Sequence, residues 1–594
     1  MAEATTTTTM AISFLLGVLL HHALFKHARG EWHRHSWFIA LAYSLPSLLT
    51  LALNILNIPF YFNLTWISLT DILTLTITNL AGLFTSITLH RALFHPLRRF
   101  PGPFPARLSA FYKIALSPKM QVFKEVHRLH SQYGDFVRIG PSELSLAHPE
   151  AIKAIHWPRA IPTKAPFYDT FYPKISVEST RDHAEHARLR KIWDRAFNAK
   201  ALRQYSPRVK QHAAKLRTAF DESGVLEKGN RTDKGNDQGG PGGRSLNLNL
   251  TKWMTYFAFD VMGDLAFGKS FNMLDDDDNS DHYILSVLHS NMLGQVIMGA
   301  VPWLAPLIVK TPLVNGELVR FFSWLRTQVK GRRENPPSSP DVFHWLLQGY
   351  GEEFNLDTPR GVAMLESEAQ LVVIAGSDTT SVTLTNAIFE VLNHPQHIQI
   401  LRIELEALLA SKSSNDKGKP QLLNLDDIDP DDNDLAKLPH LNAIINETLR
   451  LHPVVPSGLP RITPPEGMKI GDVYIPGDTV VSIPMHTLFR DQRLFHSPES
   501  FIPERWTTKP ELVNDSSVFV PFSFERSNVK EGAYSCVGKQ LALMEMRWVL
   551  ALIVWEYDIS FAPGYDAQSF ERGAVDAFIL ACAPLEVAFR RREM

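Results

Sequence analysis

The run from Pro521 to Glu545, PFSFERSNVKEGAYSCVGKQLALME, decides how this chain is read. It holds Cys536, one of two cysteines in 594 residues, between Gly532 and Gly538, where an irregular loop passes into an apolar helix. Glycine tolerates positive φ, so such a loop can turn tightly and aim its N–H groups at the sulfur. Those donors and the positive end of the following helix favour thiolate over thiol. A thiolate is one of the few protein ligands that holds haem iron and pushes electron density onto it, favouring O–O cleavage. A buried free cysteine is the competing reading, and GxxxCxG alone leaves the two level.

Working outward, the composition is that of a large globular protein, with 45% hydrophobic and 21% charged residues. A formal net charge of −2 carries no basic stripe for nucleic acid. Two cysteines so far apart form neither a disulfide framework nor a zinc site, so the catalytic part is expected to face a reducing compartment.

Residues 1–95 stand apart. Met10–Phe25, Trp37–Phe62 and Ile67–Leu89 are apolar runs near membrane-spanning length. A cleaved signal peptide is the rival reading of the first run, but MAEATTTTT lacks a basic leader and no small-residue cleavage site follows. Lys26, Arg29 and Arg34 lie between the first two runs, and Arg91, Arg98, Arg99 and Arg107 follow the third. The positive-inside rule then places the first linker and the large C-terminal part in the cytosol, with a lumenal amino terminus. Asn63-Leu64-Thr65 is a sequon in the lumenal loop. Residues 96–105, with Pro101, Pro103 and Pro105, read as a stiff, non-helical hinge. Residues 106–594 read as one soluble domain.

Two polar stretches, Glu222–Arg244 and Ser411–Pro420, read as surface loops. The acidic runs Asp275–Asp281 and Asp426–Asp434 read as solvated turns; the first lacks the glycine and closing glutamate of a calcium loop. Helical apolar spacing runs through Arg188–Phe197, Trp253–Leu265, Met364–Leu392, His440–Leu451 and Cys536–Tyr557. Phe136–Ile139, Met468–Ile475 and Thr479–Ile483 suggest small sheets. The expected fold is therefore mainly α with small β-sheets, behind N-terminal transmembrane helices.

Within the longest helix, Ala375-Gly-Ser-Asp-Thr-Thr380 interrupts an apolar run. Glycine costs about 1 kcal/mol in a helix interior, and Asp and Thr compete with the backbone there. Either a kink or close helix contact results, or a notch in which Ala375 and Gly376 admit a flat cofactor and a diatomic ligand. In the second case Thr379 offers a hydroxyl, and Asp378 links it to bulk protons. Glu447 and Arg450, three apart on a helix closed by Pro453, can pair. Pro503-Glu-Arg505-Trp506 lies in a proline-punctuated loop whose arginine can lock onto Glu447.

The ordered set AGSDTT, ETLR, PERW and GxxxCxG resembles the cytochrome P-450 family of haem-thiolate monooxygenases over roughly residues 96–594. LRLHPVVPSGLPR, the PPEG–YIPG hairpin and IPERW are most similar to filamentous-fungal members of secondary metabolism, including those related to tryprostatin hydroxylase. The resemblance implies heme b with Cys536 as axial iron ligand, and Phe522, Gly532 and Gly538 in the cysteine loop. It implies proton delivery by Asp378 and Thr379, a structural triad of Glu447, Arg450 and Arg505, and propionate partners among His186, Arg190 and Arg461. The substrate pocket would be lined by Pro162–Arg181, Leu371–Thr379 and Ala574–Ile579.

The implied reaction inserts one oxygen atom of O2 into a hydrophobic small molecule, at the endoplasmic reticulum membrane. Because the chain has no flavin or nicotinamide motif, the electrons would come from an NADPH-dependent flavoprotein reductase. One departure is the segment Glu525–Glu531, which separates Phe522 from Gly532; it either bulges to the surface or reports a misplaced splice boundary, the second being favoured. Tyr534 stands where many relatives place an arginine. Two rival readings are an electron-independent isomerase or dehydratase, and a haem protein inactivated by the insertion. The intact Asp378-Thr379 pair argues against the first.

Overall fold

The computed structural model describes residues 2–26, 32–55, 68–116, 118–157, 162–170, 172, 174–230, 246–275, 285, 292–311, 316–413, 434–523 and 534–592. The sequon at Asn63, the insertion Glu525–Glu531, Gly532 and most of both acidic runs lie outside them.

Three N-terminal helices, Ala2–Leu20, Ser36–Ile55 and Leu69–Leu89, are long and apolar enough to cross a membrane. The first and third pack closely because glycines face backbone. A Cβ on Gly17 would lie 2.1 Å from Asn79 O, and one on Gly82 would lie 2.0 Å from Phe14 O. Small residues let helices approach in this way in lipid. Polar side chains bind the same seam: Asn79 Nδ2 donates to Ser13 O at 3.0 Å, and Ser13 Oγ donates to Leu75 O at 2.8 Å.

The Pro-rich hinge differs from the non-helical strut expected. Pro96–Arg99 forms a 3-10 turn and Phe104–Leu108 a short helix, because proline is pre-organised for a first helical turn. Leu97 and Phe100 are buried against the main domain.

The remainder is mainly helical, with small sheets. The five expected helices appear as His183–Ala196, Leu250–Phe267, Pro359–Asn393, Pro439–Leu451 and Lys539–Glu556. Their apolar faces share one large core. The polar stretches begin later than expected: helix Ala199–Asn230 runs past Glu222, and Gln396–Ser413 runs past Ser411.

One five-stranded sheet matters for the site. Phe136–Gly140 pairs antiparallel with Glu143–Leu146, which runs parallel to Val480–Ser482. Arg461–Ile462 then joins Val480–Ser482 to Thr163–Lys164, both antiparallel. The last register sets Lys164 directly opposite Arg461.

Candidate functional site

Cys536 ends the loop before helix Lys539–Glu556 and is exposed on the wall of a cavity of about 330 Å³. Its backbone N–H donates to Phe522 O at 3.0 Å, so the described residues on either side of positions 524–533 are held together. Phe522 lines the same cavity. Burial pushes the Cys536 thiol up, while the amides of Gly538 and Lys539 and the charges of Arg190 and Lys539 pull it back. The donors therefore act on the sulfur in the direction expected, towards thiolate, while burial acts against them. Gly538 has φ −81°, so it does not use glycine's left-handed freedom. A Cβ there would meet only the Phe197 ring, at 4.0 Å, and would otherwise project into open space beside the cavity.

The opposite wall comes from helix Pro359–Asn393, which continues unbroken through Ala375–Thr380. Ala375 is exposed to the cavity. Gly376 also borders it, yet a Cβ there would fall 2.6 Å from the Met262 sulfur. Gly376 thus lies both on the cavity and close to helix Leu250–Phe267, in keeping with either reading of the notch. Thr379 Oγ1 donates to Ala375 O at 2.7 Å, spending its proton on the helix and leaving its lone pairs towards the cavity. Asp378 is pushed up to about 7 by burial.

One end of the cavity is cationic. Arg461 is 1% exposed, donates to Tyr168 OH at 3.1 Å, and leaves its Nε buried without a partner. Lys164, its cross-strand neighbour, is pushed down to about 7 by burial and by Arg461. Arg190 donates to Ser535 O and to Asp194 Oδ1, so it braces the residue before the cysteine as well as lining the cavity. His186 packs edge-on against Tyr534 at 4.5 Å and is pushed down to about 3 by burial and then by Lys164, Arg190 and Arg461. The Tyr534 ring sits 4.8 Å from both Lys164 and Arg461, with its hydroxyl 3.0 Å from His183 Nδ1. Like charges set opposite one another in a buried sheet destabilise it unless an anion joins them.

Away from the cavity, Glu447 is fully buried. Arg450 meets it at 2.8 and 3.0 Å, Arg505 Nε at 2.9 Å, Trp506 Nε1 at 2.9 Å and Ile502 N at 2.9 Å. Arg450 also donates to Phe489 O and Pro498 O. Trp506 packs on Phe519 at 4.3 Å, and Phe519 leads the chain to Pro521 and Phe522. The three expected triad residues therefore meet, and Trp506 joins them.

A second cavity, of about 510 Å³, shares Leu371, Ala375, Thr379 and Phe578 with the first. All three segments expected to line a pocket contribute to it: Phe167–Ser179, Leu371–Thr379 and Ala577–Ile579. Thr251, Thr255 and Cys582 line it as well and were not anticipated.

The sequence model for Cytochrome P450 matches residues 101–589. The chain belongs to the cytochrome P450 family. Among curated relatives, cytochrome P450 monooxygenase FCK2 of Fusarium pseudograminearum is 40% identical, covering 98% of this chain and 97% of that protein. Cytochrome P450 monooxygenase phqL of Penicillium fellutanum is 36% identical over 98% and 95%. Tryprostatin B 6-hydroxylase of Aspergillus fumigatus is 34% identical over 98% and 96%.

This cytochrome P450 is a haem-thiolate monooxygenase of the fungal secondary-metabolism type, acting with O2 and a redox partner on a hydrophobic substrate. The family's cofactor is haem iron with a cysteine thiolate ligand. The residues around the 330 Å³ cavity fit that group. One wall presents a cysteine, the walls are largely apolar, and one end holds crowded buried cations and an orphaned Arg461 Nε suited to two carboxylates. Lys164 was missed in the sequence because no local motif marks it; strand pairing with Arg461 brings it to the site.

Proposed function

We propose that Cys536 ligates the iron of heme b and that the adjoining 510 Å³ chamber receives a bulky apolar natural product, such as an alkaloid, terpenoid or polyketide. The observation that carries this reading is the exposure of Cys536 on the same cavity as Thr379, Arg190 and Arg461. Arg461, Lys164, Arg190 and His186 would hold the propionates, and Glu447, Arg450, Arg505 and Trp506 would fix the chain entering the cysteine loop.

Bound haem supplies the redox chemistry of O2, and the protein supplies ligation, positioning and protons. Overall, one oxygen atom enters the substrate and the other leaves as water, with two electrons and two protons consumed. Asp378, with a pKa near 7, is suited to give and retake a proton at neutral pH. Thr379, next in the helix, can relay it only if its Oγ1–H leaves Ala375 O, so that Oγ1 gives its own proton onward as it takes the incoming one. Electrons would come from an NADPH-dependent flavoprotein reductase in the endoplasmic reticulum membrane.

Carbon monoxide added to the reduced protein should give the red-shifted Soret band of a thiolate-ligated haem, and Cys536→Ser should abolish it. A folded, haem-loaded wild type without that band ends the assignment. Tryprostatin B is a first titrant for substrate spectra, on the strength of the relative named for it. A tag at residue 1 should resist protease in sealed microsomes, which supports the lumenal amino terminus; digestion overturns it.

A further inference from the structure

Trp32–His35, between the first two membrane helices, packs beside Pro302–Leu304 and Ala305–Lys310 and reaches a buried carboxylate of the catalytic domain. Trp32–His35 forms a 3-10 turn just before helix Ser36–Ile55. His33 Nε2 lies 2.7 Å from Asp169 Oδ2, and Arg34 Nη2 donates to Asp169 Oδ1 at 2.7 Å. The Asp169 side chain is only 5% exposed. Arg34 also lies over the Tyr172 ring, 4.4 Å from its centroid.

Asp169 belongs to the turn Pro166–Asp169, whose preceding residues face the other way. Phe167 stacks on Phe578 at 4.8 Å, and both line the 510 Å³ chamber. Tyr168 accepts from Arg461 Nη1 and lines both cavities. One short turn thus carries two chamber-wall aromatics on its inner side and the linker contact on its outer side.

The rest of this loop is held from within the domain. Lys164 donates to Val177 O at 3.0 Å, Val177 N to Glu368 Oε1 at 2.9 Å, and Lys174 to Glu366 Oε2 at 3.2 Å. Among the described residues of the domain, Arg181 alone forms an ion pair with Asp169, at 2.5 Å, and would already neutralise it. Burial pushes the Asp169 carboxyl up, but hydrogen bonds from His33 and Arg34 and the charges of Arg181 and Arg34 hold it at about 2. A carboxylate so deeply placed needs more than one donor to be satisfied. The linker supplies the additional donors.

We propose that the basic linker between the first two membrane helices positions the substrate-chamber wall: His33 and Arg34, by holding Asp169, fix Phe167 and Tyr168, so the anchor is a working part of the chamber as well as a tether. His33 and Arg34 are positioning residues here and touch neither substrate nor cofactor. The inference rests on the 510 Å³ cavity being the substrate chamber.

The test uses the full-length, haem-loaded chain in lipid nanodiscs, with phenylimidazole as the chamber probe. Backbone hydrogen exchange over residues 163–170 is measured together with the absorbance titration of the ferric protein. His33→Ala with Arg34→Ala should speed exchange in that segment and shift the phenylimidazole Kd by about three- to tenfold, the range expected for a partly buried charge contact. Asp169→Asn should do the same, and combining all three should add little, because the effects share one contact. The reduced carbon monoxide band should persist, showing an intact haem site. Unchanged exchange, or a Kd within about twofold of wild type, overturns the proposal. Phe578→Ala is the control: if it shifts the Kd while the linker variants do not, only the linker inference falls. If neither shifts it, the chamber reading falls with it.

Discussion

Two cavities meet at Leu371–Thr379, and they are built in opposite ways. The smaller is walled by two long helices and a sheet edge, with Arg461 and Lys164 forced together by strand register. The larger is closed by the Pro162–Arg181 loop and the tip of the Val575–Ala577 and Ile579–Ala581 hairpin. The cavity proposed for the cofactor joins these regular elements to the loop that carries Cys536. Loops on a rigid scaffold commonly carry binding residues, which suits the chamber proposed for the substrate. Damage to the first should therefore appear as lost stability and haem, and damage to the second as altered binding in a protein that still folds.

The largest effect that would sharpen this contrast is expected at Glu447. Its carboxylate receives Arg450, Arg505, Trp506 and the Ile502 amide in a fully buried site. Glu447→Gln leaves two buried guanidinium groups without a counter-charge, a loss of about 3–5 kcal/mol. Thermal unfolding and haem content should both fall sharply. A variant that melts like wild type and keeps its haem would break the assignment of rigidity to this side.

Thr379 and Asp378, on the shared wall, come next. Thr379→Ala should leave the melting temperature nearly unchanged while peroxide release rises at the expense of product; unchanged coupling places the relay elsewhere. For Asp378 the acid form is the donor, so product per O2 consumed should decline as pH rises through about 7. Asp378→Asn should flatten that limb. The folded protein holds this proton between the ordinary carboxylate range and about 7, so the group's contribution to stability falls as pH rises across that window. Asp378→Asn should remove that slope from a stability profile.

The ease of reading the two cavities in the sequence follows the same division. Cys536, Glu447, Arg505 and the Ala375–Thr380 run were legible because polar residues in apolar context at fixed spacing need a reason. Lys164 was not, since its meaning depends on Arg461, nearly 300 residues away, being its strand partner. Trp506 stood in view beside Arg505, but only the fold shows its Nε1 on Glu447. Gly376 was legible as an oddity and ambiguous in cause, and its neighbour Met262 comes from a helix more than 100 residues earlier that the local sequence does not reveal. Thr251 and Thr255 sit in a helix whose apolar spacing says core; their hydroxyls return to backbone oxygens, and nothing local tells which face borders a chamber. The thiol balance at Cys536 also escaped the sequence, because donors can be inferred locally but the depth of burial cannot.

The smallest effect is expected at the hairpin tip. Phe578 has φ +78°, a conformation costly for a bulky side chain, and Asp576 holds the hairpin tip by accepting from Phe578 N at 3.2 Å. Strain of this kind costs about 1–3 kcal/mol and survives where the surroundings impose it. Phe578→Gly relieves the backbone and forfeits the stack on Phe167, worth about 0.5–1.5 kcal/mol beyond area burial. The two changes oppose each other, so unfolding should move little. Ligand affinity and the site of oxidation should change, because the ring lines both cavities. A large loss of stability without a change in ligand binding would make the hairpin tip part of the rigid frame and erase the distinction between the two cavities at that point.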